Sequence, residues 1–488
     1  MTFFIEMTAK CRTKDMISTL PQNIIETILC HLHVRDAVRT SVLSKNWRYS
    51  WTRIPKLVFV EDTFKELTAG SDQLSSLEQG IVLQNPHNKI LKKCKFLYVI
   101  YQVLLMHQGP ILQFTLDIEA CEFARCLEID QIILHLSRSN TVTELKLRLR
   151  SGDCDPYQLP LSIYSLHQLT DLHLRGCLSE YCKLLQSLSD FYHLGHIPLI
   201  EPLFERLRLI GHLTIANEWM DMCLTEDKVP RKLATSLVHL KYLSLDMCFI
   251  CNLGLPLLAF LIKSSPNLEI INLLSRECCI WNPNPVTLED HSDIWLEHLY
   301  ELKIEYVANL KTELEVVKLI LAKSPVLKKA RIVLDVKIAA DGVPQVLPAP
   351  LVHLKEFILQ DMCYIDEYGS PFLSLILRSS PNLERLFLTM YHDTSLDTSE
   401  IESVTLKDYA DVRLEHLNEF QIVDMHNLKH ELEFVKLILK KSPMLKKVSI
   451  FVDPEVSKDE EMLISRNLLH FPRASPLVEV IVGRLDDD

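Results

Sequence analysis

Glycine is scarce, with 11 residues in 488. Loops that cradle phosphates need several glycines close together, so a nucleotide-binding loop is not expected. Long apolar runs are missing too. The longest, Phe96 to Met106 (broken by Gln102) and Pro256 to Ile262, fall well short of the ~20 residues that span a bilayer. Met1 to Arg12 places Glu6 inside its apolar stretch and offers no small-residue cleavage site, so no secretory leader is expected. There is no excess of positive charge: Lys+Arg 52 against Asp+Glu 64 gives −12. Sequence-independent nucleic-acid binding needs a basic face, so that class is disfavoured. The 14 cysteines are scattered. They read as free, mostly buried thiols of a reducing, intracellular compartment, nucleus or cytoplasm or both. No G-x-S-x-G elbow, Walker loop or H-E-x-x-H helix occurs, so neither an enzyme nor a cofactor is expected.

What is present is leucine. Hydrophobic residues are 48% and charged residues 24%, a composition that folds. A short string recurs in which apolar and polar residues alternate, as in Leu169-Thr170-Asp171-Leu172-His173-Leu174. Copies stand at Thr143 to Leu147, Phe204 to Leu209, Leu240 to Leu245, Leu268 to Leu273, Leu299 to Ile304 and Leu327 to Ile332. They continue at Leu354 to Leu359, Leu383 to Leu388, Leu417 to Ile422 and Leu445 to Ile450. Successive copies lie about 27 to 36 residues apart, near the leucine-rich-repeat period. Alternation with period two predicts short strands with one buried face. Between them, Leu314-Val317-Lys318-Leu321 and Leu432-Val435-Lys436-Leu439 have helical spacing. Ser-Pro pairs at Ser265, Ser324, Ser380 and Ser442 are expected to end helices just ahead of new strands. One strand and one helix cannot bury their faces alone, whereas stacked copies can. The expectation is an α/β solenoid with a continuous core.

A longer period lies on top. Leu296 to Asp335 aligns without gaps to Leu414 to Asp453, with about 25 identities in 40 positions, far beyond chance. Ser264-Ser265-Pro266-Asn267-Leu268-Glu269 likewise matches Ser379-Ser380-Pro381-Asn382-Leu383-Glu384. A block of about 115 to 118 residues has been duplicated. Between Leu178 and Pro230 the pattern is ragged, with strand-like stretches at Phe204 to Leu209 and Gly211 to Ile215 too close together to be separate repeats.

Residues Ile17 to Val60 are different in kind. Leu20-Pro21 opens a helix in which Ile24, Ile25, Ile28, Leu29 and Leu32 form an apolar stripe. Asp36 is placed to cap a second helix and Ser44 a third, the latter carrying Trp47 and Trp51 four apart. About 45 residues cannot enclose this much apolar surface. Either another protein covers part of it, or the segment is the cap that a solenoid needs.

This segment resembles the F-box, the adaptor-binding module of SCF-type ubiquitin ligases. The resemblance rests on Leu20-Pro21, Ile28-Leu29, Leu32, Val34, Ala37-Val38, Ser41-Val42-Leu43-Ser44, Trp47 and Trp51. The whole chain resembles the plant F-box, leucine-rich-repeat and FBD family. His107-Gln108-Gly109-Pro110-Ile111 to Leu116 is similar to its first strand after the F-box, Leu414 to Asp453 to its FBD segment, and Leu296 to Asp335 to a second copy. The resemblance implies a three-helix F-box at 15–60, repeats at 61–295, a first FBD-like copy at 296–335, repeats at 336–395 and a C-terminal FBD domain at 396–482, the array forming a horseshoe. It implies that Leu20, Pro21, Ile25, Ile28, Leu29, Leu32, Val34, Ala37, Val38, Leu43 and Trp47 contact or support a Skp-type adaptor, which links to cullin and RING subunits. A protein substrate would be held by the repeats, with no membrane involved.

Residues pointing outward from the repeat strands are the substrate candidates, among them Arg148, His173, Arg208, Lys241 and Lys303. Cys248-Phe249-Ile250-Cys251 has metal-like spacing but lacks a second pair, since Cys278-Cys279 are adjacent, so no metal is expected. Lys328-Lys329, Lys440-Lys441 and Lys446-Lys447 read as a solvated face balancing nearby glutamates.

Overall fold

A computed structural model describes residues 16–63, 86–119, 126–150, 157–179, 206–216, 232–233, 235–247, 254–275, 294–307, 311–334, 347, 349–362, 369–392, 409, 411–426 and 428–484. The Cys248-Cys251 and Cys278-Cys279 pairs lie outside them. The chain divides into two compact units, Met1–Glu180 and Tyr181–Asp488.

The first unit opens with helices α1 (Gln22–Cys30) and α2 (Val34–Arg39), followed by 3₁₀ turns at Thr40–Val42 and Ser50–Arg53. The expected third helix is therefore replaced by turns, a common fate of segments too short to repay helix nucleation. His33, not Asp36, stands at the N-cap position of α2, with no side-chain cap bond, and Asp36 sits inside the first turn. Strand β1 (Lys56–Val60) pairs parallel with β2 (Gln113–Glu119), β2 with β3 (Glu144–Arg150), and β3 with β5 (Asp171–Arg175). Short strands β4 (Tyr157–Leu159) and β6 (Cys177–Ser179) pair separately. Helices α3 (Pro86–Met106) and α4 (Leu127–Ser139) stand between strands. Gly176 turns the chain at φ +70, where a Cβ would lie 1.9 Å from the Leu149 carbonyl oxygen.

Among the described residues the second unit is a run of ten parallel strands in sequence order. They are β7 (His212–Ala216), β8 (Tyr242–Met247), β9 (Ile270–Ser275), β10 (Glu301–Val307), β11 (Lys329–Leu334), β12 (Glu356–Met362), β13 (Arg385–Met390), β14 (Glu419–Met425), β15 (Lys447–Val452) and β16 (Glu479–Gly483). Helices α5 (Gly254–Ser264), α6 (Lys311–Ala322), α7 (Gly369–Ser379), α8 (Lys429–Lys441) and α9 (Lys458–His470) precede β9, β11, β13, β15 and β16. Register keeps like positions together. Leu302, Ala330, Phe357, Leu386, Phe420 and Val448 form one inward row and Ile304, Ile332, Leu359, Leu388, Ile422 and Ile450 the next, all buried. Each large side chain so buried contributes roughly 1.5–3 kcal/mol. The four Ser-Pro serines are buried, and the carbonyl of each accepts from the leucine three residues on, which begins the next strand approach.

The duplicated block repeats one geometry in β10 and β14, and β12 between them shares it. In β10, β12 and β14 the register slips near the strand end, and Tyr306, Asp361 and Asp424 take φ of 58, 56 and 57. Each bulge returns the next residue to the core: Val307, Met362 and Met425 are buried. The fully buried Glu431 and the buried Glu313 occupy the same place in α8 and α6.

On the outward face the first strand position reads Glu301, Lys329, Glu356, Arg385, Glu419, Lys447, Glu479 across seven neighbouring strands. Charge alternates at every step. Lys329 lies 3.8 Å from Glu301 and 3.1 Å from Glu356; Arg385 lies 2.7 Å from Glu356. The lysine pairs at 328 and 446 thus meet the glutamates expected of them. Lys441 differs: its ammonium donates to the carbonyls of Tyr409 and Val412, and burial lowers its pKa.

Of three free cysteines described, Cys126 is buried, Cys30 half-buried and Cys94 exposed, so the thiols there are less buried than expected. Among the described residues no helix is long and apolar enough to cross a membrane, and no group of histidines, cysteines or carboxylates is placed to hold a metal.

Candidate functional site

Helix α1 starts after Pro21, whose φ of −58 and missing N–H suit the helix entrance. Its apolar residues divide between two faces. Ile25 and Leu29, four apart, are fully buried, whereas Ile24 and Ile28, also four apart, remain 43% and 39% exposed. The single stripe read from the sequence is thus two stripes. The inner one closes a small core with Val34, Ala37, Trp47, Trp51 and Ile54. The outer one has no cover among the described residues.

Polar contacts fix this arrangement. The Trp47 indole N–H donates to the Ile17 carbonyl at 3.0 Å, tying down the segment before α1. The Gln22 amide donates to Glu26 and to the Ser50 hydroxyl, joining α1 to the Ser50–Arg53 turn. The Thr52 carbonyl accepts from the backbone N–H of Gln108, at 2.8 Å, and of Gly109. His107 lies 2.9 Å from the Ile54 carbonyl through its Nε2, and burial lowers its pKa. A Cβ on Gly109 would stand 2.8 Å from the Arg53 carbonyl oxygen, so this close approach needs glycine. The module is thereby fastened to the first repeat strands.

Of the expected adaptor residues, Ile25, Leu29, Val34, Ala37 and Trp47 are buried; Leu20, Leu32 and Val38 are half-buried; Pro21, Ile28 and Leu43 are exposed. Exposed Val42 and Tyr49 were not among them. Ile24, named only as part of the stripe, belongs with Ile28 by its four-residue spacing. Val42 belongs to the F-box resemblance and by spacing to the second helix, but that helix ends at Arg39 and Val42 falls in the turn that follows, where it is exposed.

The substrate candidates scatter. Arg148 is exposed on β3, and its register partner on β5 is Arg175. His173 is half-buried opposite Lys146; burial and then Lys146 lower its pKa. Lys241 precedes β8 and pairs with Glu269 at 2.8 Å. Lys303 points outward on β10 and pairs with Glu305. Arg208 is not on a strand. Among the described residues the repeat strand in the ragged region is β7, and 206–209, the described part of the stretch from 204, is not a strand. Two competing patterns lay six residues apart, and the later one carries the buried pair Leu213 and Ile215.

One titratable cluster lies elsewhere. The His392 Nε2 sits 2.9 Å from the buried Glu431 carboxylate, which also accepts from the Leu428 N–H at the start of α8. The His392 and His426 ring centroids lie 3.7 Å apart, with the planes tilted by 40°. Burial raises the Glu431 carboxyl pKa and lowers that of His430 to about 4. The equivalent Glu313 accepts from the Ser275 hydroxyl. A buried glutamate at this helix start, bound to a side chain at or just past the strand one repeat back, thus recurs in both copies.

Comparison with known sequences agrees with this division. Residues 17–59 match the F-box domain family, and 413–450 the FBD family. An F-box/FBD/LRR-repeat protein of Arabidopsis thaliana is 30% identical over 478 residues, spanning 96% of this chain and 98% of the relative. The chain belongs to the F-box/FBD/LRR-repeat family. A second F-box/FBD/LRR-repeat protein of that plant is 27% identical over 34% of this chain and 32% of its own length. An FBD-associated F-box protein is 29% identical over 28% and 32% respectively. The helical module is the F-box, and β14, α8 and most of β15 lie in the FBD. The first copy, β10 through β11, repeats that architecture.

Proposed function

We propose that this chain is the non-catalytic substrate receptor of an SCF-type ubiquitin ligase. The observation that carries the reading is the two-faced F-box: Ile25, Leu29, Ala37 and Trp47 close its own core while Ile24, Ile28, Val42 and Leu43 stay open. A solenoid cap would explain the buried face, and Leu29 and Trp47 satisfy that alternative. It does not explain a second apolar face turned to solvent. A Skp-type adaptor binding there would connect the chain to cullin and RING subunits. The protein substrate would lie on the outward side of the repeat strands, at residues such as Arg148, His173, Lys241 and Lys303, in a horseshoe-shaped array. The mechanism is proximity: a held substrate meets the ubiquitin-loaded partner at a raised effective concentration. The domains we assign are the F-box at 15–60, repeats at 61–295 and 336–395, an FBD-like copy at 296–335 and the FBD at 396–482, acting inside the cell. Co-purification with a Skp-type adaptor tests this. Wild type should carry the adaptor and the Leu20→Ala/Pro21→Ala variant should not; a folded wild type that carries none leaves only the cap.

A further inference from the structure

The two copies of the duplicated block diverge at one place on the sheet. Their inward strand residues stay apolar, and the first outward pair is unchanged, Glu301 and Lys329 against Glu419 and Lys447. Exposed Glu297, His298 and Lys328 also recur, as Glu415, His416 and Lys446, so exposure alone does not make a position drift. The outward positions further along the strands have all changed. Lys303, Glu305, Arg331 and Val333 of the first copy stand where the second has Gln421, Val423, Ser449 and Phe451. The framework is shared, and the chemistry at the middle of the face is not.

Arg331 is the odd member of that face. Among the described residues every other lysine or arginine on β7 to β16 has a carboxylate within reach. Lys303 has Glu305, Lys329 has Glu301 and Glu356, Arg385 has Glu356, and Lys447 has Glu419. Arg331 has Gln360 instead, whose amide oxygen accepts from both Nε and Nη2. A neutral amide fixes the guanidinium without cancelling its charge. The Nη1 group has no partner among the described residues. In register, Arg331 stands between Lys303, a like charge, and Ile358, and Phe387 follows Ile358 on β13. Outward Val423 on β14 and Phe451 on β15 continue the apolar strip, all of it half-buried. An oriented, uncompensated cation at one end of an apolar strip matches an anion joined to apolar groups.

We propose that the outward face of β11 to β15 takes an extended segment of the substrate, with an Asp or Glu carboxylate on Arg331 and the following apolar side chains over Ile358, Phe387 and Phe451. The inference rests on the receptor reading above and gives its protein substrate a chemical class. Neighbouring strands lie about 4.8 Å apart, so the sheet from β11 to β15 spans about 19 Å, roughly six extended residues. A carboxylate suits Arg331 better than a phosphoryl group, because Glu305, on the strand beside it, opposes a second negative charge.

The probes are labelled, amidated six-residue peptides with one Asp or Glu followed by alternating apolar residues. Matched peptides carry Asn or Gln, phosphoserine, or a carboxylate only at a free C-terminus. Fluorescence anisotropy with the full chain should show Asp or Glu peptides binding at least about tenfold more tightly than their amide counterparts, the margin of one bidentate charge-assisted contact. Arg331→Gln should erase that margin at an unchanged melting temperature, Arg331→Lys should keep part of it, and Phe387→Ala should weaken every peptide. A preference for phosphoserine or for the free C-terminus, a margin that survives Arg331→Gln, or a folded wild type that binds no peptide overturns the proposal. Adaptor co-purification from the same preparations separates the two readings. A missing margin with adaptor bound strikes this site alone, and a margin without adaptor strikes the ligase reading alone.

Discussion

Arg385 is the best-made contact in the alternating charge row, and its reversal has a calculable effect. The guanidinium donates through Nε at 2.8 Å and Nη2 at 2.7 Å to one carboxylate oxygen of Glu356. The Glu356 side chain is 14% exposed and that of Arg385 40%. Two charge-assisted hydrogen bonds to a largely covered carboxylate are worth roughly 1.5–3 kcal/mol, less a discount for the solvent at Arg385. Arg385→Met should therefore cost about 1–2 kcal/mol. Arg385→Glu puts three carboxylates side by side, since Glu419 follows in register, and should cost about 1 kcal/mol more. Lys447→Glu is the control. It too sets three carboxylates side by side, with Glu419 and Glu479, but its ammonium stands 3.9 Å from Glu419 with both side chains more exposed, so the total loss should be only about 1 kcal/mol. Urea unfolding followed by circular dichroism reads all three, with salt shrinking the Arg385→Glu excess. Although burial alone would raise the Glu356 carboxyl pKa, Arg385 and Lys329 hold it below its ordinary value. Its contribution is thus present above the unfolded carboxylate pKa and lost as pH falls through the lower folded value. Equal costs for Arg385→Glu and Lys447→Glu would refute the reasoning, because the row would then be decoration with no geometric preference.

Three further outcomes follow from the structure. Gly176→Ala should strongly lower the stability of the first unit, because φ +70 and the Leu149 carbonyl leave no room for a Cβ; a thermal melt unchanged within a degree would contradict this. His430 has its pKa lowered to about 4 by burial and then by His392, so wild type should lose stability as pH falls from about 6.5 to about 4. His430→Gln should flatten that limb, read as the difference in melting temperature at each pH. Leu29→Ala should cost roughly 2–5 kcal/mol of folding stability, whereas Ile28→Ala, one residue away on the open face, should leave the melt nearly unchanged.

The strands were legible because period-two leucines recur with a fixed turn, and Ser-Pro marks the helix ends ahead of β9, β11, β13 and β15. Helices α6 and α8 were legible from their apolar spacing. The bulges in β10, β12 and β14 were not. Asp361 and Asp424 are of a type that tolerates a positive φ but Tyr306 is not, and the bulge rather than the alternation decides that Val307, Met362 and Met425 turn inward. Strand β1 was hidden inside the F-box resemblance. Helix α9 and β16 were missed because polar residues dominate the one and the other lacks leucine. At the site, composition located the module but not its faces: Ile24 and Ile25 are the same residue type, and only packing assigns one to water and the other to the core. The charge row is invisible until register brings residues about thirty apart into contact.

The central claim rests on the open face of α1. Titration calorimetry of the full chain with a purified Skp-type adaptor tests it most directly, using wild type beside Ile24→Asp/Ile28→Asp. The account predicts saturable one-to-one binding by wild type, and none by the variant at an unchanged melting temperature. Equal binding by the two proteins, or no binding by a folded wild type, would contradict it.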